Sequence, residues 1–451
     1  MRLDQSFLSY ADRREQLARE IQAARGSEVG LGKPTSNLFR DRAASSKRRL
    51  DVSNFHHVLE VDAKQGWVSV EGMTPYDVLA AATLRERVMP CVVPQLKSIT
   101  IGGAASGVGI ESSSFRYGLV HETLLEIEVL LGDGSVVVAT PHNEHSDLFF
   151  GFPNSYGTLG YALRLKAKAI PVKPFVALTH IRHSEPSAYF RQINDLCQVR
   201  DFDFIDGSVF SSNEMYITLG RFVDEAPYTS DYTFENIYFR SIQARETDYL
   251  TIEAYLWRWD TDWFWCSKNF GAQNPMVRRL LGRERLNSRF YTKVMRLNSR
   301  WRLTHLLDSL SGQHRESVIQ DVDIPIERAP EFLDFFQREV GILPVWICPI
   351  RSWEPSHHWT MYPMDPTRTF VNFGFWDVVR TRQSHPPGHF NRLVEQKVRE
   401  LGGIKTLYSD SYFSQEEFGA AYHGEAYRAL KQRYDPRNVF KDLYAKCVLR
   451  A

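Results

Sequence analysis

The sequence predicts an α+β fold on three observations. Paired β-type runs closed by tight turns fill the first 170 residues, helix-type segments stand between those pairs, and a longer-period, aromatic-rich regime follows from about residue 175. A chain of 451 residues is long enough for two or three domains with a sizeable core.

The elements follow in order. The charged, helix-periodic opening predicts a helix over about residues 4–25, and it lacks the uninterrupted apolar run of a signal peptide. Gly30, Gly32 and Pro34 mark a loop. Val58–Val61 and Trp67–Val70 flank the polar turn Asp62–Gly66 and read as a hairpin. Thr74-Pro75-Tyr76-Asp77 reads as a helix start, with Thr74 capping and Pro75 in the first position of a helix through Ala82. Leu124–Leu131 and Ser135–Ala139 form a second hairpin about Gly132-Asp133-Gly134. Pro171 and Pro174 then interrupt the pattern and predict a boundary. Beyond it, Tyr255, Trp257, Trp259, Trp263, Phe264 and Trp265 are either core or the wall of an apolar pocket for a bulky substrate.

Composition excludes several classes. With 55 Lys+Arg against 54 Asp+Glu there is no global field for polyanions, so nucleic acid is not an expected partner. Five scattered cysteines without a CxxC pair fit reduced thiols in a cytoplasmic protein better than a disulfide scaffold or zinc ribbon. No window has the roughly 18 apolar residues of a spanning helix, so any lipid substrate must be met at a surface or delivered by a carrier. Residues 277–304 are locally basic, with Arg278, Arg279, Arg283, Arg285, Arg289, Lys293, Arg296, Arg300 and Arg302 against Glu284. Interleaved Leu and Phe allow an amphipathic helix that lies on an anionic membrane; the alternative is a solvated helix balanced by acids elsewhere. His56-His57, His142/His145 and His357-His358 lack the carboxylate or Cys pattern of a metal site and read as surface or hydrogen-bonded histidines, with no metal expected.

The chemistry signal lies in Pro94–Gly118. Gly102, Gly103, Gly107 and Gly109 follow a short β run and precede Ser112-Ser113-Ser114, a backbone able to approach a diphosphate closely. Ser112 stands where a dinucleotide fingerprint would need its third glycine. Downstream come Asp147-Leu-Phe149, Gly157-Thr-Leu-Gly160 and the closing Lys431-Gln-Arg-Tyr-Asp-Pro436 and Phe440.

In this order the motifs resemble those of the vanillyl-alcohol oxidase/p-cresol methylhydroxylase (PCMH-type) superfamily of FAD enzymes, over essentially the whole chain. Gly109-Ile-Glu-Ser-Ser-Ser114, Tyr117-Gly118, Asp133-Gly-Ser135, Pro344–Pro349 and Leu407-Tyr-Ser-Asp-Ser-Tyr412 are similar to the delta-24 sterol reductase branch. Thr35–Arg40, Val93–Lys97 and Asp260–Trp265 are similar to bacterial flavin reductases of 10-methyl-branched fatty acid synthesis, which make tuberculostearic acid. The resemblance implies an N-terminal helix (1–25), a two-subdomain FAD-binding domain (26–175), a substrate or cap domain with antiparallel sheet and helices (176–405) and a C-terminal segment returning to the FAD domain (406–451).

It further implies FAD held without a covalent link, since the first loop, Gly32–Arg40, lacks the histidine that many members join to flavin. Thr35, Ser36 and Asn37 are the expected phosphate contacts of that loop; Gly102, Gly103, Ser106, Gly107 and Gly109 those of the second; Gly160 and Tyr161 lie by adenosine or flavin. The implied reaction is reduction of an isolated carbon–carbon double bond of a lipid, foremost the 10-methylene group of a phospholipid-borne acyl chain, with NADPH or NADH as electron donor. Such an alkene has no carbonyl to stabilise negative charge, so a positioned acid must protonate it in a water-poor site. Tyr412 and Glu111 lead the candidates, with Asp410, Tyr408 and Lys97 behind them. Each also has a structural reading: Glu111 capping a loop amide or pairing with Arg116, Tyr408 and Tyr412 as core, Lys97 as a solvated side chain. The alternatives are a sterol side-chain reductase, an alcohol oxidase using O2, and a non-catalytic flavin-binding lipid carrier or partner of a methyltransferase. The expected location is cytoplasmic, peripheral at the inner face of the membrane.

Overall fold

The computed structural model of the protein describes residues 9–24, 28–33, 39–40, 47–199, 201–301 (backbone alone from 295) and 314–450. The opening helix runs Tyr10–Gln22, and Ser9 and Asp12 close its first turn as a capping box. The outer residues of the predicted 4–25 span, 4–8 and 25, lie outside the described residues. Leu17 and Ile21 bury the apolar side of this helix with Val29, Leu50 and Phe440.

Strands β1 (Val29–Gly32) and β2 (Arg48–Asp51) pair in parallel. Strands β3 (Val58–Asp62) and β4 (Trp67–Glu71) form the first predicted hairpin. The helix after it starts later than expected. It spans Tyr76–Arg85 with Pro75 at its cap, because Thr74 turns its hydroxyl to the His57 carbonyl instead of to the helix. Strands β5 (Val88–Pro90), β6 (Leu124–Leu130), β7 (Val136–Ala139) and β8 (Tyr161–Pro171) complete an antiparallel sheet of order β3-β4-β8-β6-β7, with β5 also on β8. In β8, buried Leu163, Leu165 and Ala167 alternate with half-exposed Arg164, Lys166 and Lys168, which gives the sheet one apolar face. Gly134 has φ +87° in the β6–β7 turn, a backbone state that favours glycine.

The chain enters a second sheet between Pro171 and Phe175. Strands β9 (Phe175–His183), β10 (Phe204–Ser211), β11 (Glu214–Val223), β12 (Thr247–Thr251), β13 (His314–Pro325), β14 (Val345–Ile350), β15 (Phe370–Thr381) and β16 (Ile404–Lys405) order as β12-β9-β11-β10-β14-β15-β13-β16, antiparallel throughout. One face is apolar. Val318, Val322, Val345, Ile347, Phe373 and Phe375 pack there with Phe332, Phe336, Val394 and Val398 from helices Ala329–Glu339 and His389–Glu400. The chain end, helices Gly424–Tyr434 and Leu443–Cys447, returns to the first sheet, where the buried Lys431 ammonium donates to the Thr158 and Phe440 carbonyls and to Asp435 (2.8, 2.7 and 2.6 Å).

The basic stretch is not one helix. Helix Pro275–Leu281 stops at Gly282 (φ +71°), and a separate helix covers Ser288–Trp301. Four of its six described cations are paired: Arg278 is buried on Asp262, Arg279 meets Glu235, Arg283 meets Asp231 and Arg289 meets Asp77. Arg296 and Arg300 have no described side chains, and Arg302 lies outside the described residues. Among the described residues no helix is long and apolar enough to cross a membrane.

Candidate active site

The second sheet has an unusual other face. Strands bury alternate residues on opposite sides, so the neighbours of Val322, Phe373 and Phe375 point away from the apolar core. Those neighbours are Asp321, Asp323, Asn372, Gly374 and Trp376. The Asn372 amide donates to Asp323 Oδ1 (2.8 Å) and the Tyr362 hydroxyl to Asp323 Oδ2 (2.6 Å). Trp376 Nε1 donates to the Tyr408 hydroxyl (2.7 Å), and Tyr408 hydrogen-bonds Asp321. Burial pushes the Asp321 carboxyl up to about 7; the Tyr408 hydrogen bond opposes the rise and neighbouring Asp323 adds to it. Asp323 rises to about 6, again by burial, with Tyr362 and Asn372 holding it down.

Asp321, Tyr408, Trp376 and Tyr156 keep accessible surface. Yet Asp321, Tyr408 and Tyr156 lie deep enough for burial to dominate their titration. Side chains that are deep and still accessible line an internal cleft. A Cβ at Gly374 would meet the Trp376 ring at 2.5 Å and Asp321 Oδ1 at 2.8 Å, so only glycine leaves this floor open.

The end of the first predicted cofactor loop meets this cleft, and the second loop reaches its Tyr156. Thr35, Ser36 and Asn37 lie outside the described residues, but the chain just after them is fixed: the Phe39 N–H donates to the Tyr408 carbonyl (2.9 Å), and the Phe39 ring stands edge-on to Tyr408 at 5.9 Å. Arg40 lies over the Tyr156 ring at 4.8 Å. In the second loop, Thr100 caps a short helix, Ile101–Ser106, by accepting the Gly103 N–H. Here the structure corrects the expected open glycine loop. Gly102 and Gly109 are needed for packing, because their Cβ atoms would meet the Gly72 carbonyl oxygen (2.5 Å) and Val120 (2.6 Å). The N–H groups of Gly102, Gly103 and Gly107 are already spent inside the protein, and the Ser106 hydroxyl donates to the Gly102 carbonyl (2.8 Å). The next three, on Val108, Gly109 and Ile110, have no acceptor among the described residues. Three successive free amides beside Tyr156, whose ring Gly107 faces, suit a diphosphate, so the donor set fits FAD.

The other predicted residues disperse. Glu111 is buried in a second cluster, where Arg258 donates to Glu111 Oε1 (3.1 Å) and Asp206 Oδ2 (2.9 Å), Ser112 Oγ to Glu111 Oε1 (2.5 Å) and Trp346 Nε1 to Asp206 (3.2 Å). Burial raises both carboxyls while Arg258 opposes it. Arg116 pairs with Asp203 instead, at 3.3 Å. The Lys97 backbone N–H donates to Asp260 (2.9 Å) and its ammonium lies 6.0 Å from the Trp257 ring centre. Tyr412 turns from the cleft toward the chain end, where Arg450 donates to its hydroxyl (2.8 Å) and also meets Asp410 (3.5 Å). Gly160 has φ +156°, and Tyr161 packs edge-on to Phe440 at 4.8 Å with its hydroxyl on the Val29 carbonyl. Of the five candidate acids, the cleft holds Tyr408. Asp321, Asp323, Asn372 and Trp376 were missed, although the signal existed: polar residues at alternate positions in otherwise apolar strands, Asp321-Val-Asp323 and Asn372-Phe-Gly-Phe-Trp376.

Comparison with known proteins points to the same cofactor. An FAD binding domain family matches residues 9–140. The chain is 30% identical over 415 residues to a Delta(24)-sterol reductase of Homo sapiens, covering 87% of this chain and 76% of that protein. It is 24% identical over 444 residues to a Delta(24)-sterol reductase of Arabidopsis thaliana (88% and 76% covered). A cytokinin dehydrogenase 7 of Oryza sativa subsp. japonica matches over 193 residues at 28%, covering 42% of this chain and 34% of that protein.

Proposed function

The chain belongs to the Delta(24)-sterol reductase family, and from that premise we propose that it reduces an isolated, branched carbon–carbon double bond of a lipid, with Asp321 as the acid. The family and its FAD binding domain make the chain an FAD-dependent oxidoreductase. The observation that carries the finer reading is Asp321, a deep carboxyl raised to about 7 that lines the same cleft as Tyr408 and Tyr156.

Bound FAD supplies hydride. The protein's own residues must then supply the proton and keep water out. Near neutrality about half of the Asp321 carboxyls carry a proton. The proton passes from Asp321 to the less substituted alkene carbon, the more substituted carbon becomes cationic, and hydride completes the C–H bond there. Tyr408, held by Trp376 Nε1, orients the carboxyl and hydrogen-bonds the carboxylate left behind. Phe39, Trp376 and Tyr156 give the cleft aromatic walls that favour an apolar chain.

For the substrate we propose the 10-methylene group of a phospholipid-borne acyl chain, on the Thr35–Arg40, Val93–Lys97 and Asp260–Trp265 resemblance, with NADPH or NADH reducing the flavin. The names of the relatives favour a second substrate, the Δ24 alkene of a sterol side chain; both alkenes give a tertiary cation. The test is to reduce the FAD-loaded protein anaerobically with NADPH, then add 10-methylene-octadecanoyl phosphatidylglycerol or a Δ24 sterol in parallel. Lipid-dependent return of the flavin absorbance identifies the substrate. A reduced flavin indifferent to both lipids refutes the reading.

A further inference from the structure

Helix Pro275–Leu281 carries the two most exposed large apolar side chains among the described residues, Met276 at 72% and Leu280 at 82%. Four positions apart, they share one face. Elsewhere such side chains stand singly, as Val199 and Leu449 do, which needs no explanation. The opposite side of this helix is anchored: buried Arg278 grips both oxygens of Asp262 (2.5 and 3.2 Å) and donates to the Phe234 carbonyl (2.6 Å). Gly271 and Gly282 bound the segment, and a Cβ at either would meet no atom within 4 Å. A rigidly held helix therefore presents two apolar side chains outward from open surroundings.

Behind it a packed apolar cluster reaches the cleft. Leu281 and Phe290 pack on a stack of Phe270, Tyr291 and Trp263; Trp263 lies 5.6 Å from Phe39, and Phe39 touches Tyr408. The charges around the helix nearly balance, since Glu235 and Asp231 take Arg279 and Arg283, while exposed Arg285 and Lys293 have no acidic partner among the described residues.

We propose that helix Pro275–Leu281 docks on a phospholipid bilayer by inserting Met276 and Leu280 below the headgroups, with Arg285 and Lys293 at the level of the phosphates. The purpose, holding the protein at the bilayer from which its lipid substrate is drawn, rests on the lipid-reductase function above; the docking itself does not. A second copy of the chain is a poor occupant, because two side chains are a small part of the roughly 800 Å² per partner that a stable interface buries.

Flotation of the full FAD-loaded chain with phosphatidylcholine vesicles, with and without phosphatidylglycerol, tests this. The wild type is expected to float on both and more fully on the anionic vesicles. The double variant Met276→Glu/Leu280→Glu should lose partitioning by roughly 100-fold, the loss of two inserted side chains. The control Val199→Glu/Leu449→Glu should float as the wild type. Wild type that stays in solution, a double variant that still floats, or a concentration-dependent dimer abolished by the double variant would each overturn the proposal. Flotation without any alkene turnover would leave docking intact and refute the reductase reading alone.

Discussion

Replacing Asp321 with asparagine keeps the shape of the side chain and removes the proton that alkene reduction requires. A positioned general acid contributes typically about 10²–10⁴-fold, so Asp321→Asn should lower lipid-dependent flavin reoxidation by that factor. The pH profile gives a sharper test. With the carboxyl raised to about 7, the wild-type rate should be flat below pH 7 and fall about tenfold per unit above it, whereas the variant should show no such limb. Stability also falls as pH rises, but over a lower window. The folded carboxyl is raised from 3.8 to about 7, so its favourable contribution is complete below pH 3.8 and is lost as pH rises through 7. At ~1.36 kcal/mol per unit, up to about 4 kcal/mol is lost across that window, and the asparagine variant escapes this loss. Calorimetry of the flavin-free protein at pH 8 should therefore give a Tm for Asp321→Asn no lower than wild type, while stopped-flow absorbance shows the loss of turnover. Wild-type turnover in the variant, or an unchanged alkaline limb, would refute the assignment of Asp321 as the acid.

Other expectations follow from the same geometry. Tyr408→Phe removes the hydrogen bond that favours the Asp321 carboxylate, so its alkaline limb should shift above pH 7 while turnover falls; an unmoved limb excludes the coupling. Gly374→Ala puts a methyl group against Trp376 and Asp321, and should abolish turnover in protein that still takes up FAD, as read by absorbance. Arg258→Met strands two buried carboxylates and should cost about 3–5 kcal/mol in a denaturant titration. Glu111→Gln leaves the one-to-one Arg258–Asp206 pair and should cost far less; a Glu111→Gln protein that is stable yet inactive would return Glu111 to the catalytic list.

Much of the scaffold was legible because its signals are local. Period-2 runs about Asp62–Gly66 and Gly132–Gly134 marked both hairpins, since alternation and turn chemistry are carried by neighbouring residues. Thr74 misled because a distant carbonyl, that of His57, competed successfully for its hydroxyl. The basic stretch left two readings open for the same reason: the acids that meet four of its arginines, Asp77, Asp231, Glu235 and Asp262, come from outside the segment.

By itself the sequence determined the α+β class and the family, because turns, alternation and motif order depend on short-range spacing. Only the tertiary structure decided which carboxyl lines the cleft. Glu111 and Tyr412 sit in conspicuous motifs, yet folding commits them to Arg258 and Arg450. Asp321 sits in an ordinary strand, and its raised pKa exists only once Tyr408, Asp323, Asn372 and Trp376, up to 87 residues away, close around it and take it out of bulk water. Desolvation is a property of the enclosing fold, and no single segment of the chain contains it.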